Sequence, residues 1–393
     1  MKRVMIIGAS AGQIPLIKKA KELGYYVAVA DYNPNAIGIP LADEFYHAST
    51  IDEEAILAVA KIFKPDGIAT MQTDMPMRAI AKVNEELGLC GIDWQTAINA
   101  TDKVEMIKCF KRHGIASPWY YVVDNNLNKL TEKFTYPCVF KPVDNSASRG
   151  VCLVRSKAEV EQAFAYSRSF SRKGLVLAEE YLQGPEVSVE ILVWESVAHV
   201  IAVTDKLTTG APFFVEMGHK EPSELPEKSV QDIKKLAIGA VKAVGIQNGQ
   251  GHVEIIFTKG GPKVVELGAR LGGDFITSDL VPLSTGVDML KETLQIACGE
   301  NPDLTQTESR GSAIRFLEAE RGIIDRIDGI EEAYNISGVQ RIEFFKKVGD
   351  ESIEVHNSLD RIGYVIAQAE TASRAFAICE NVRNMIKVVI RNV

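Results

Sequence analysis

The sequence predicts an α/β N-terminal parallel-sheet domain, then a larger α+β domain, then a small α+β C-terminal domain. Three observations lead there. Strands and amphipathic helices alternate over the first hundred residues, the pattern of βαβ units on a parallel sheet. From Cys138 onward strands follow one another with period-two alternation, which favours antiparallel pairs. After Ser312 a last set of strands is closed by one helix. A chain of 393 residues exceeds one ordinary core, and the pattern changes put the domains at 1–100, 101–305 and 306–393.

Val4–Ile7 is a short apolar strand ending at Gly8, and Gln13–Leu23 is an amphipathic helix closed by Gly24. Tyr26–Ala30 is the next strand, ending at Asp31, with a helix at Asp52–Phe63 and a strand at Gly67–Thr70 behind it. Glycines also close the helices Met77–Leu87 and Ala100–His113, at Gly88 and Gly114. Cys138–Lys141, Val151–Val154, Leu175–Glu179, Val187–Val193 and Val200–Thr204 read as strands, and Lys228–Val244 as a helix. His252–Thr258 and Lys263–Gly268, separated by Lys-Gly-Gly-Pro, form a β-hairpin. In the tail, Ala313–Leu317, Gly338–Phe345 and Val365–Ala369 are strands and Ala372–Met385 is a helix.

The composition, 46% hydrophobic and 24% charged, is that of a water-soluble globular chain. A net charge of −8 argues against nucleic acid and anionic membranes as partners, because both require basic excess. No stretch approaches the roughly 20 apolar residues of a membrane span, and MKRVMIIGAS lacks the long apolar core of a secretory leader. The six cysteines are scattered, without a CxxC or Cys/His cluster, as expected in a reducing compartment. A cytoplasmic protein is expected.

Gly8-Ala-Ser-Ala-Gly12, between a strand and a helix, with Asp31 ending the next strand, is compatible with a nicotinamide dinucleotide site. The GxGxxG spacing is not met, and a tight strand-to-helix turn explains the glycines without a nucleotide. A helix N-terminus there can still receive an anionic substrate group.

Four segments carry more specific chemistry. Lys141 ends a strand and precedes Pro-Val-Asp-Asn-Ser-Ala-Ser-Arg-Gly150, so a point charge and a loop of small hydrogen-bonding residues stand ready for a polyphosphate. The apolar strand Val176–Ala178 runs into Glu179, Glu180, Tyr181 and Leu182 and then Glu186, acids and amides suited to a purine edge and ribose hydroxyls. In the hairpin, pairing centred on Gly260 sets Glu254 opposite Glu266, with Val265 and Leu267 on the other face. Facing carboxylates repel, and hard Mg²⁺ between them removes the repulsion. Finally, Arg270 follows on a glycine-rich turn, Gly268-Ala-Arg-Leu-Gly-Gly-Asp274, where a guanidinium can meet a transferring phosphoryl group.

In this order the elements resemble the ATP-grasp superfamily, over most of residues 1–300 and more weakly in the tail. The resemblance implies ATP and Mg²⁺, with Mn²⁺ as a substitute, as cofactors. Lys103 and Lys141 match the two nucleotide-binding lysines, and Asp144–Gly150, with Ser146, Ser148 and Gly150, matches the phosphate loop. Glu179, Glu180, Tyr181 and Leu182 match the adenine turn, Glu186 the ribose contact, and Glu254 and Glu266 the paired metal ligands. A lid is implied near residues 117–183. Asn145 and Ala147 stand where glycine is common, and Gly268 takes the place of an asparagine in the metal motif.

Arg270 with the Gly-Gly pair looks most like the branch that ligates amino acids, and Gly218–Ser223 resembles a segment near the acceptor site there. That makes His219, read as a loop residue, a catalytic candidate beside Arg270; His252 reads as structural. Arg315 is a candidate for a substrate carboxylate. Met71–Arg78, Phe213–His219 and Arg270–Asp279 are expected to line the substrate pocket. The implied reaction is ATP-dependent activation of a small-molecule carboxylate as an acyl phosphate, then capture by an amine, with a homodimer possible. A carboxylase- or carbamoyl-phosphate-type enzyme using bicarbonate shares the nucleotide motifs.

Overall fold

The computed structural model describes residues 1–124, 127–144 and 149–391. Its first sheet is parallel, in the order β3-β2-β1-β4, with β1 Arg3–Ile7, β2 Tyr26–Asp31, β3 Glu44–His47 and β4 Gly67–Ala69. β1 and β2 are almost wholly buried, which is why they read as continuous apolar runs rather than alternating ones. The helices α1 Ile14–Glu22, α2 Glu53–Phe63 and α3 Met77–Leu87 belong to the same domain. The Asp52 carboxylate caps α2 by accepting the Ala55 N–H, and α3 stops at Gly88, whose φ of 65° suits glycine. β3 was not expected: Glu-Phe-Tyr-His at a sheet edge is too short and too polar to show a pattern.

The helix expected at Ala100–His113 begins only at Lys103, as α5 Lys103–Arg112, and α4 Trp94–Thr101 before it was not expected. Asp102 leaves helical geometry (φ −108°, ψ 111°) and accepts the Val104 and Glu105 N–H groups. Aspartate starts a helix better than it continues one. Lys103 thereby becomes the first residue of α5.

The sheet expected to form the lid is antiparallel in the order β5-β8-β6-β7: β5 Tyr120–Val123, β6 Cys138–Pro142, β7 Cys152–Val154 and β8 Val176–Glu180. It closes on its own small core, including Val123, Phe140, Val154, Val176 and Ala178.

Eleven strands follow: β9 Glu186–Trp194, β10 Val197–Thr208, β11 Glu216–Glu221, β12 Gly249–Thr258, β13 Gly261–Gly268, β14 Gly311–Leu317, β15 Gly322–Asp328, β16 Val339–Phe344, β17 Glu351–Ser352, β18 Gly363–Ala369 and β19 Lys387–Arg391. Eight make one antiparallel sheet, β13-β12-β9-β10-β11-β14-β18-β16, and the order β17-β15-β19 makes a small one. Strands of the tail thus extend the central sheet, with β14 paired to β11. Val187, Val189 and Val253 share a buried cluster with Ile233 and Val241 of the helix Glu227–Val244. Leu192, Met217 and Phe316 share another with Val4 and Ile6 of β1, which fixes the N-terminal domain against the sheet. Among the described residues no helix is long and apolar enough to cross a membrane.

Candidate active site

The hairpin β12–β13 sets the two candidate metal carboxylates. Near its turn Thr258 pairs with Gly261 and Ile255 with Val264; a bulge then brings Glu254 opposite Glu266. Without that extra residue Glu254 would face Val265. The bulge also corrects the expected alternation: Val264 and Leu267 are buried on β13, and Val265 is only half-buried.

Each acid of the group has a lysine beside it. Lys103, at the start of α5, pairs with Glu266. Lys141 Nζ donates to Glu179 Oε2 at 2.6 Å across β6 and β8, and Lys263 Nζ to both oxygens of Glu180 at 2.7 and 2.8 Å. Burial alone would lower the Lys141 pKa, but the Glu179 and Glu266 carboxylates outweigh it and hold it above the usual lysine value. Glu179 Oε1 is buried and has no hydrogen-bond partner among the described residues, an acceptor left for a ligand donor.

Lys206, on β10, was missed by the sequence reading. Its Nζ donates to Glu186 Oε1 at 2.6 Å and lies 3.3 Å from Glu254 Oε2 and 3.5 Å from Glu216 Oε1, with its side chain 3% exposed. The available signal was parity, because Lys206 falls on the same face of β10 as the buried Ala202 and Thr204. Its partners lie on three other strands, which no local pattern reveals. Burial raises the Glu216 pKa, although Lys206 opposes this.

The expected phosphate loop is pinned at both ends. Gly150 (φ 79°) accepts from Ser167 Oγ at 2.7 Å, and Asp144 accepts from Ser171 Oγ at 2.9 Å and the Lys173 N–H at 3.0 Å. Lys173 Nζ in turn donates to Asp102 Oδ2 at 2.7 Å, joining the lid to the cap of α5. Ser146 and Ser148 lie outside the described residues. Tyr181 packs 6.2 Å from Phe214, centroid to centroid, and Leu182 is buried.

Arg270 is clamped by Asp74 of the N-terminal domain, Nε to Oδ1 at 3.0 Å and Nη2 to Oδ2 at 3.3 Å. This pair explains Gly268. A Cβ there would lie 2.8 Å from Asp74 Oδ1 and 3.0 Å from Arg270 Nε, so any side chain at this position would displace the pair.

His219 is not a loop residue. It lies on β11, 1% exposed, with Nε2 3.3 Å from Asp274 Oδ2 and Nδ1 without a partner among the described residues. β11 was invisible because Glu-Met-Gly-His-Lys-Glu does not alternate; pairing to β10 and β14 makes it a strand. Asp274 also accepts a two-pronged Arg361 guanidinium at 2.8 and 3.0 Å. Burial would raise the Asp274 pKa, yet Arg361 and His219 hold it below the usual carboxylate range. Asp274 (φ 51°) and Phe275 (φ 62°) are both left-handed, which is uncommon for residues with side chains.

His252 is structural in position but belongs to this network. Its Nδ1 donates to Glu190 Oε1 at 2.6 Å, and its Nε2 lies 3.4 Å from Glu254 Oε1. Burial would lower its pKa, but Glu190 prevails and raises it to about 9. Arg315 donates to Glu380 Oε1 at 2.5 Å and to the Met217 carbonyl at 2.6 Å, an ion pair from the last helix of the kind the lysines also make.

Among the described residues no three His, Cys, Asp or Glu side chains form a metal cluster. Glu254 and Glu266 still suit Mg²⁺: hard, anionic oxygens from facing positions, leaving the remaining places to phosphate and water.

A small antiparallel sheet, a central antiparallel sheet and the lysine–glutamate pairs they carry are the features of an ATP-grasp domain. The ATP-grasp domain family is matched by residues 134–279. The chain also carries an L-amino acid ligase C-terminal domain 2, at residues 315–391. It is 29% identical to alanine–anticapsin ligase of Bacillus subtilis (strain 168) over 311 residues, 72% of this chain and 65% of that protein. It therefore spans less than two thirds of that relative's length. The L-amino acid ligase structure from Bacillus licheniformis superposes with a TM-score of 0.88 at 24% identity, covering 100% of this chain and 99% of the other. Phosphoribosylglycinamide synthetase from Anaerococcus prevotii gives 0.81 at 25% identity, covering 99% and 100%.

Proposed function

We propose that the chain is an ADP-forming ligase that activates a substrate carboxylate with ATP and joins it to the amine of an amino acid or a similar compound. The observation that carries this reading is the facing pair Glu254 and Glu266, with Lys103 of α5 and Lys141 of the lid sheet beside it. The L-amino acid ligase type of the C-terminal domain supports the amino-acid substrate.

In this reading Lys103 and Lys141 exchange carboxylate partners for phosphate oxygens, and Glu179 Oε1 and Glu186 receive donors of the nucleoside. Mg²⁺ held by Glu254 and Glu266 supplies neutralisation of phosphate charge. A carboxylate oxygen of the first substrate bonds to the γ-phosphorus while the β–γ bridging bond breaks, releasing ADP. Arg270, fixed by Asp74, stabilises charge on the transferring group. The amine then bonds to the acyl carbon, the C–O bond to phosphate breaks, and a proton is lost from nitrogen. The lid excludes water from the acyl phosphate between these steps.

The test is an ADP-release screen over pairs of amino acids, with bicarbonate and ammonia as controls and Glu266→Gln as the blank. ADP release that needs two amino acids, and is abolished in Glu266→Gln, is the expected result. Release with bicarbonate alone would replace this reading by a carboxylase-type one, and undiminished release by the variant would remove Glu266 from the site.

A further inference from the structure

We infer that Arg78 anchors the carboxylate of the amine-bearing substrate, an amino acid with an apolar side chain, in the cleft between the N-terminal domain and the lid. The inference rests on the ligase reading above. The cleft has a volume of about 760 Å³ and is lined by Arg78, Lys103 and Glu266 together with Ile51, Met75 and Phe170. It therefore runs from the N-terminal domain to a lysine and a carboxylate assigned to the phosphates.

The cations of this cleft differ in their commitments. Lys103 is paired with Glu266 and Lys173 with Asp102, while Arg172 Nη2 donates to the Asp144 carbonyl at 3.0 Å. Arg78 Nε donates to the neutral Thr101 Oγ1 at 3.0 Å, and no carboxylate pairs with Arg78 among the described residues. Glu53 lines the same cleft without pairing to it. Thr101 Oγ1 is itself fixed by donating to the Ala97 carbonyl at 2.7 Å. One edge of the guanidinium is thus held in place, and its two terminal nitrogens remain for a planar anion, the geometry in which arginine binds carboxylate best.

The reaction creates the need for such a group. The first substrate's carboxylate is consumed in phosphoryl transfer, whereas an amino acid acting as the amine keeps its own carboxylate charged throughout. That charge needs a cation not already assigned to the nucleotide. Ile51, Met75 and Phe170, 52%, 42% and 38% exposed, give the body of the same substrate an apolar wall to cover.

The experiment compares L-leucine with L-leucinamide on the full chain, by calorimetric binding in the presence of ADP and Mg²⁺ and by turnover with L-alanine as carboxylate donor. Wild type should bind leucine about 10- to 100-fold more tightly than the amide, the range of a charge-assisted pair. Arg78→Met should lose that preference while ATP affinity stays within about twofold, and Arg78→Lys, which keeps charge without the planar fork, should retain part of it. A wild type that binds the amide as well as leucine, or binds neither, overturns the inference, as does an Arg78→Met with undiminished preference. Preserved binding preference without any turnover would sink the ligase reading and leave Arg78 as a carboxylate site.

Discussion

Replacing Lys206 by methionine would remove one buried cation from among three carboxylates while keeping most of the side chain's bulk. Its Nζ lies 2.6, 3.3 and 3.5 Å from Glu186, Glu254 and Glu216. At an effective dielectric of about 20 each contact is worth on the order of 5 kcal/mol of gross attraction. Desolvation offsets most of that, and breaking a buried pair leaves a net deficit of about 3–5 kcal/mol. Lys206→Met should therefore lose about that much unfolding free energy near neutral pH without metal, read by urea denaturation from the three tryptophans. Two further readouts separate this cause from lost packing. Lowering the pH protonates the orphaned carboxylates, whose pKa values rise once the lysine is gone, so the deficit shrinks in acid. Mg²⁺ replaces the missing charge and should recover about 2.7 kcal/mol at a hundredfold excess over its Kd. A variant within about 1 kcal/mol of wild type, indifferent to pH and Mg²⁺, would refute the reasoning.

Gly268→Asn should lower ADP release at least about tenfold, because its Cβ intrudes on the Asp74–Arg270 pair. Asp74→Gly in the same chain should restore part of the activity; no rescue in steady-state kinetics would mean the crowding lies elsewhere. Glu221, buried and accepting from Thr204 and Ser284, has its pKa raised by burial from 4.5 to about 7. A raised carboxylate pKa means the folded chain holds the extra proton, so stability is greatest in acid and falls as pH rises from about 4.5 to about 7. The shift corresponds to about 3 kcal/mol, and Glu221→Gln should flatten that slope in denaturation midpoints measured across the window.

Local rules carried the helices Met77–Leu87 and Ala372–Met385 to their observed ends, because capping and periodicity reside in neighbouring residues. They also made Glu254 and Glu266 partners, although the pairing depends on a bulge that strict alternation does not contain. What stayed hidden was decided by distant chain. The His219 strand exists because β10 and β14 flank it, and Arg315 is paired with Glu380 because the last helix reaches it. Lys206 lies beyond the strand expected at Val200–Thr204, and its acids come from three other strands. The start of α5 after Asp102 was readable in principle, since Thr-Asp-Lys carries a capping residue. The apolar spacing on either side masked it.

Under the proposed function the lysine–glutamate pairs of the two sheets make binding an exchange of partners. Lys103, Lys141 and Lys206 already have counter-ions, as do Glu179, Glu186, Glu254 and Glu266. A nucleotide arriving without metal would take the lysines and strand the glutamates; a metal arriving alone would do the reverse. Either half-exchange leaves like charges crowded in a poorly solvated space. Under the proposed function the arrangement favours the metal–nucleotide complex as a single guest and makes the affinity of each component depend on the other.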